Sequence, residues 1–182
     1  FDARGMSNWL WKQRIREEDK TLALGATCRG GGHRLRTRAG HCVQCDPKKL
    51  VFQARHSAEQ HVYIAGSLSK KLIKIGTCKY IWQRERQLRA ERYGGASDWS
   101  VIFSIKVQRA GDIEHRARSR LSKYVVVRPY WKDGFEQSGI ELLQCSFSRA
   151  QEALASVAES AMVAEAWKAR FTSAYEFDEM PD

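Results

Sequence analysis

Proline is scarce in this chain, with three residues in 182, and no segment repeats at a fixed period. Collagen-like, solenoid and low-complexity architectures are thereby excluded. No apolar run approaches the roughly 18 residues that a helical membrane span needs, and the first residues show no charged-then-apolar leader pattern. Acidic residues are in deficit: 21 Asp and Glu stand against 31 Lys and Arg, a formal net charge of +10. Hydrophobic residues make up 43% and charged residues 29%, so the chain can build a core and is not a disordered tail. Its length suits one domain, or one domain with a small satellite.

The excess charge is uneven. Residues 1–56 carry 12 basic against 5 acidic residues, residues 57–150 carry 17 against 9, and residues 151–182 carry 2 against 7. Two basic blocks and an acidic end suit a protein that lies against a polyanion with its tail pointing away. No basic amphipathic helix with a broad apolar face stands out, so nucleic acid is the expected partner, and no membrane. The sequence opens at Phe1 without an initiator methionine, which leads us to expect a fragment or a processed product.

Residues 1–24 read as a partly helical lead-in containing Trp9, Leu10, Trp11 and Ile15, with Ser7 as a candidate cap. Residues 25–56 are rich in Gly and Arg, and their central stretch has almost no aliphatic residues. Such a segment cannot bury enough apolar area to hold itself folded, so something else must staple it. Cys28, His33, Cys42 and Cys45 supply the staple in the spacing C-x4-H-x8-C-x2-C. Zn²⁺ takes four tetrahedral thiolate or imidazole ligands, and its binding supplies folding free energy. His41 competes with His33 as the nitrogen ligand, but its adjacency to Cys42 makes convergence on one ion harder, so His33 is preferred. A disulfide would leave Cys78 and Cys145 over, which favours thiols in a reducing, cytoplasmic compartment. Arg34, Arg36 and Arg38 lie between the ligands and are candidates for gripping phosphates.

From residue 61 the pattern changes. HVYIA (61–65) and LIKIG (72–76) are short strands joined by a polar connection of hairpin length. Residues 80–93 read as a helix stopped at Gly94–Gly95. Residues 99–107 alternate as a strand, and residues 111–124 form a second helix with Ile113, Ala117, Leu121 and Tyr124 on one stripe. VVV (125–127) adds a brief strand before Pro129. Residues 148–171 form a third helix with Leu154, Val157, Ala161 and Met162 on its apolar face, and the acidic end frays. The expected fold is α/β (α+β), a small, mostly antiparallel three-stranded sheet flanked by helices and preceded by the zinc-stapled segment. The expected boundaries are 1–24, 25–56, 57–172 and an acidic tail at 173–182.

VYI at 62–64, KIG at 74–76, an arginine eight residues beyond Gly76 and a distant glutamate together resemble the GIY-YIG nuclease superfamily. The branch it looks most like, common in phage and bacterial proteins, has VY[IV] and KIG as its first two motifs. GTCKYIWQRERQL matches that branch's helix entry, and GIELLQCSFSRAQEAL resembles its glutamate-bearing segment. The likeness spans about residues 61–155. His61 and Val62 replace the Gly and Ile of the name motif, and Lys74 replaces its second tyrosine. Strand alternation independently places Tyr63 and Lys74 on one face of the hairpin, opposite Val62, Ile64, Ile73 and Ile75. On an ideal helix Arg84 lies about 60° from Ile81 and about 40° from Leu88, inward, whereas Arg86 lies about 140° from Ile81. Arg86 and Arg89 are expected as solvated or backbone-tracking contacts to nucleic acid. Glu141, flanked by Ile140, Leu142 and Leu143, is either paired with an arginine or binds a metal. Glu114 and His115 suggest a second acid–base pair, but His115 points about 200° from Ile113 and is read as surface.

The resemblance implies a Mg²⁺- or Mn²⁺-dependent endonuclease that cuts DNA, double-stranded DNA favoured, leaving a 5′-phosphate and a 3′-hydroxyl. Glu141 would hold the divalent ion, Arg84 the scissile phosphate, and Tyr63, tuned by Lys74, the attacking water. A restriction or mobile-element enzyme fits, as does an antibacterial toxin domain delivered within a larger protein and matched by an inhibitory immunity protein. The rival expectation is a zinc-containing nucleic-acid-binding module without catalysis.

Overall fold

The structure, a computed structural model, describes residues 1–158 and 163–177. It divides into two units, Phe1–His56 and Ser57–Asp182.

In the first unit, helix α1 (Asn8–Glu17) is capped by Ser7, whose hydroxyl accepts the Leu10 N–H, and it buries Trp11 and Ile15. Strands β1 (Leu22–Leu24) and β2 (Leu35–Thr37) pair antiparallel, Leu22 opposite Thr37. The lead-in and the cysteine-bearing segment thus share one small sheet and belong to one unit. Helix α2 (Pro47–Ser57) follows, with proline at its first position, where no N–H is needed. The apolar core holds Ala3, Trp11, Ile15 and Ala23. At about 1.5–3 kcal/mol per large buried side chain, two such residues offset little of the ordering entropy of a segment this long.

The second unit is built on β3 (Gln60–Ser67), β4 (Leu72–Cys78), α3 (Ile81–Ala90), β5 (Ser100–Val107), α4 (Ala110–Arg120), β6 (Val125–Lys132), β7 (Phe135–Leu143), α5 (Phe147–Ala155) and β8 (Val163–Lys168). Its sheet has six strands in the order β6-β7-β4-β3-β5-β8, every neighbouring pair antiparallel, and not the three expected from sequence. One face carries Val62, Ile64, Ile73 and Ile75 against Ile113 and Ala117 of α4 and Phe147 and Leu154 of α5. The other carries Tyr63, Ala65 and Leu72 against Leu88 of α3 and against Tyr93, Trp99 and Leu142. Both faces are covered, so Tyr63 and Lys74 are fully buried and do not decorate an open sheet.

The three additional strands have physical explanations. The brief strand at 125–127 continues to Lys132 because Pro129 lies on an edge strand, where its missing N–H costs no ladder bond. Asp133 and Gly134, both at positive φ (53° and 82°), form the two-residue turn that leads into β7. The third helix stops at Ala155, and residues 163–168 of its expected span instead pair with β5 as an edge strand. Leu154 and Val157 are buried as expected, whereas Ala161 and Met162 lie outside the described residues. The start of the acidic tail is docked: Tyr175 is buried against Gly66, where a Cβ would come within 2.3 Å of the ring, and Glu176 accepts the Ser148 hydroxyl at 2.7 Å. Residues 178–182 of that tail lie outside the described residues.

Candidate functional site

The register of the β3–β4 hairpin sets Tyr63 opposite Gly76. The phenol lies across that glycine so closely that a Cβ there would fall 2.6 Å from the tyrosine hydroxyl and 2.8 Å from its Cζ. The glycine of KIG is therefore required for space. From one turn into α3, Arg84 donates its Nε–H to the Tyr63 hydroxyl at 2.9 Å and its Nη1–H to Gln87 at 2.8 Å. Burial is the main influence on Tyr63 and pushes its phenol well above the usual range, against the downward pull of Arg84. The phenol is protonated at neutral pH, and Lys74 does not tune it downward: its ammonium is taken by Glu141.

Glu141 occupies an unusual place in the sheet. The ladder between β4 and β7 consists of two pairs, Ile73–Leu143 and Lys74–Leu142, and ends one residue short of Glu141. Between Val126–Leu142 and Arg128–Gly139, β6 has one residue, Val127, and β7 has two, Ile140 and Glu141. This is a β-bulge, a device that re-aims a side chain. The carboxylate sits where the strands part and is reached from both sides. Lys74 Nζ, fully buried and 4.7 Å from the Tyr93 ring centre, bonds one oxygen, and Arg118 of α4 reaches the other at 3.2 Å. Burial raises the Glu141 carboxyl, but Lys74 first, then Arg118 and Arg84, outweigh it and hold the group below its usual range. Burial pulls Lys74 below the ordinary lysine range, with Glu141 opposing.

Tyr63, Lys74, Arg84 and Glu141 are thus brought together. Three further residues join them. Arg118 bonds Glu114 at 3.3 Å as well as Glu141, and Glu114 accepts the Thr77 hydroxyl at 3.2 Å. Tyr93, its phenol pushed up to about 12 by burial, packs at a tilt against the Tyr130 ring and covers Lys74. The i,i+4 spacing of Glu114 and Arg118 was the sequence signal for the first two. Nothing local marked Tyr93, which follows Arg92 in a left-handed conformation (φ 46°). His115 is exposed, as expected. His61 keeps a buried Nδ1 that has no hydrogen-bond partner among the described residues. Arg86 is exposed, whereas Arg89 bonds the Trp99 carbonyl, the Ser100 hydroxyl and Glu85.

In the first unit the ligand atoms of Cys28, His33, Cys42 and Cys45 lie within 4.8 Å of one another. His33 Nδ1 is 3.7 Å from the Cys28 and Cys42 sulfurs and 3.4 Å from that of Cys45, and the Cys28 and Cys45 sulfurs are 3.6 Å apart. A tetrahedral Zn²⁺ with bonds of about 2.3 Å to sulfur and 2.0–2.1 Å to nitrogen has edges of roughly 3.6–3.8 Å, so the donor set fits. The Cys45 N–H turns back on the Cys42 sulfur at 3.5 Å, which closes the knuckle. Gly31 leaves room for the His33 ring, 2.7 Å from where its Cβ would be. His41 is exposed and lies outside the cluster, its N–H donated to the Thr37 hydroxyl. Arg36 bonds the Ala26 carbonyl and Arg38 bonds the Lys20 carbonyl and Asp19, so both tie loops of this unit together; Arg34 is exposed. A hollow of about 660 Å³, lined by Trp11, Arg34 and Arg36 among others, opens in this unit.

Among the described residues no helix is long and apolar enough to cross a membrane. No curated protein and no solved structure matches the chain. Residues 60–158, more than half of the chain and the stretch that holds all four clustered residues, match the T5orf172 domain. The chain therefore belongs to the T5orf172 domain family, whose members are related to nucleases.

Proposed function

We propose that the chain is a metal-dependent endonuclease that hydrolyses phosphodiester bonds in DNA, double-stranded DNA in preference. One observation carries this proposal: a tyrosine–arginine hydrogen bond and an ion pair between the buried Lys74 and the partly exposed Glu141 meet beside the β3–β4 hairpin, where β7 parts from the sheet. A restriction or mobile-element role and an antibacterial toxin role both use this chemistry.

Glu141 suits a hard divalent cation such as Mg²⁺ or Mn²⁺. It is an ionised carboxylate, one third exposed, at a break in the strand pairing, and one or two such groups plus waters hold these ions. When bound, the ion neutralises charge on the phosphate and stabilises the leaving oxygen. Arg84 keeps Nη2 free of the bonds to Tyr63 and Gln87 and directs it at a non-bridging phosphate oxygen. Tyr63, protonated, accepts the Arg84 Nε–H and so fixes the guanidinium, which leaves its own O–H to orient the phosphate or the attacking water. Lys74 and Arg118 hold Glu141 ionised and in place. Water adds to phosphorus and gives up a proton to solvent, the bond to the 3′ oxygen breaks, and that oxygen takes up a proton from solvent, leaving a 5′-phosphate and a 3′-hydroxyl. The CHCC cluster, built as a closed four-ligand set, holds structural zinc and takes no part in this step.

Conversion of supercoiled plasmid to nicked and linear forms tests the proposal. The wild-type protein cuts with Mg²⁺ or Mn²⁺ and stops with EDTA. Glu141→Ala and Glu141→Gln lose cutting and keep duplex binding. Cutting by both variants at the wild-type rate removes Glu141 from the site. A wild-type protein that binds duplex but cuts with neither ion is the non-catalytic binding module.

A further inference from the structure

Among the described residues of the second unit, half of the exposed large hydrophobic side chains lie on the β6–β7 hairpin. Val127, Trp131, Phe135 and Ile140 are 58%, 67%, 71% and 60% exposed, and Val125 is 42% exposed. Large contiguous apolar surfaces on water-soluble domains mark interaction sites. Alternation along β6 sets Val125, Val127, Pro129 and Trp131 on one face, with Val127 level with Ile140 of β7. Phe135, paired with Lys132, lies on the opposite face. The tip between them is the two-residue Asp133–Gly134 turn, with both residues at positive φ. The hairpin is thus a stiff blade with an aromatic ring on either side of its tip and an aliphatic stripe that ends at Ile140, next to Glu141.

We infer that this hairpin is a nucleic-acid wedge, whose Trp131 and Phe135 stack on bases while Val127 and Ile140 press on the adjacent sugars and bases. The inference rests on the nuclease proposal above and adds the surface that grips the substrate. Two observations select nucleic acid as the occupant. The stripe ends at the bulge that carries Glu141, and Arg118 of α4, a helix packed on the stripe's own face of the sheet, reaches that carboxylate, so a ligand that follows the stripe offers anionic groups at one end and flat apolar faces along its length. Exposed guanidinium groups flank the blade as well. Arg128 is on β6 and Arg92 leads into the turn packed against it, and neither has an ion pair among the described residues. Phosphates and bases occur together in this way in a polynucleotide, and wedge-shaped apolar side chains are a known means of unstacking a base step.

Fluorescence anisotropy of a short fluorescein-labelled duplex, titrated with the zinc-loaded full chain in buffer without Mg²⁺ or Mn²⁺, tests the wedge without cleavage. Trp131→Ala should weaken binding about tenfold with the salt dependence unchanged, because a stacked base is worth that much and carries no counterion. Trp131→Phe should restore most of it, and Arg128→Gln should lower the salt slope by about one. A duplex carrying 2-aminopurine should brighten on binding the wild type and stay dim with Trp131→Ala. Wild-type affinity and brightening in Trp131→Ala overturn the wedge, while plasmid cutting by the wild type leaves the nuclease proposal standing. Light scattering that shows a dimer, split to monomers by Trp131→Glu, also overturns it, since a second copy then covers the stripe.

Discussion

Gly76→Ala isolates the contact on which the site's geometry depends. The backbone at Gly76 is not left-handed, so alanine is conformationally allowed, and with open space the change would stabilise by about 0.4–1 kcal/mol through the unfolded chain. Space is absent: the new methyl would lie 2.6 Å from the Tyr63 hydroxyl, 2.8 Å from Cζ and 3.1 Å from Cε1. The ring cannot swing away, because Tyr63 is fully buried among Leu88, Tyr93 and Trp99. Overpacking of this kind costs about 1–3 kcal/mol. Displacing the phenol also breaks its bond from the Arg84 guanidinium, a charge-assisted contact worth about 1.5–3 kcal/mol. The expected loss is about 2–4 kcal/mol, allowing for partial relaxation of the ring. Activity should fall by about a hundredfold, the usual effect of a 1 Å misplacement of a positioning group. Removing the ring removes the clash, so Gly76→Ala made in a Tyr63→Ala background should cost nothing further. Urea unfolding followed by circular dichroism, with zinc kept saturating, measures the cycle. Additive effects, or a Gly76→Ala protein as stable and active as the wild type, would refute the steric account of this glycine.

Two more expectations concern the Cys28–His33–Cys42–Cys45 cluster and the Glu141 carboxylate. Elemental analysis should find one zinc per chain; His33→Ala should lose it and His41→Ala should keep it, and chelation should unfold residues 1–56 as followed by proteolysis, because their apolar core is so small. Glu141, held below its usual range by Lys74 and Arg118 against burial, contributes stability at pH values above its unfolded value, and that contribution is lost as pH falls through its folded value. Thermal melts between neutral and strongly acidic pH should therefore fall less steeply for Glu141→Gln than for the wild type, and parallel curves would remove the ion pair from the stability of the fold.

Local patterning in the sequence determined the hairpin and its two faces, because alternation of Val62, Ile64, Ile73 and Ile75 leaves Tyr63 and Lys74 only the opposite side. It also determined that Arg84 turns inward, since the helical repeat ties it to Ile81 and Leu88, and that a Gly- and Arg-rich segment needs the CHCC cluster. The Asp133–Gly134 pair was a hairpin signal too, though the proline in β6 masks it. Tertiary structure alone decided the rest. Whether β8 is strand or helix depends on the free edge of β5, which offers backbone partners that no local pattern records. The preference for His33 over His41 was already legible in the adjacency of His41 to Cys42, and only how closely the His33 ring approaches the sulfurs was left to the turn that holds Gly32 at positive φ. Glu141 meets both Lys74 and Arg118 because β7 carries an extra residue at the point where it leaves β4, and a bulge is a property of two strands in register. Periodicity within one segment fixes which way a side chain faces; pairing between segments far apart in the chain fixes what it meets there.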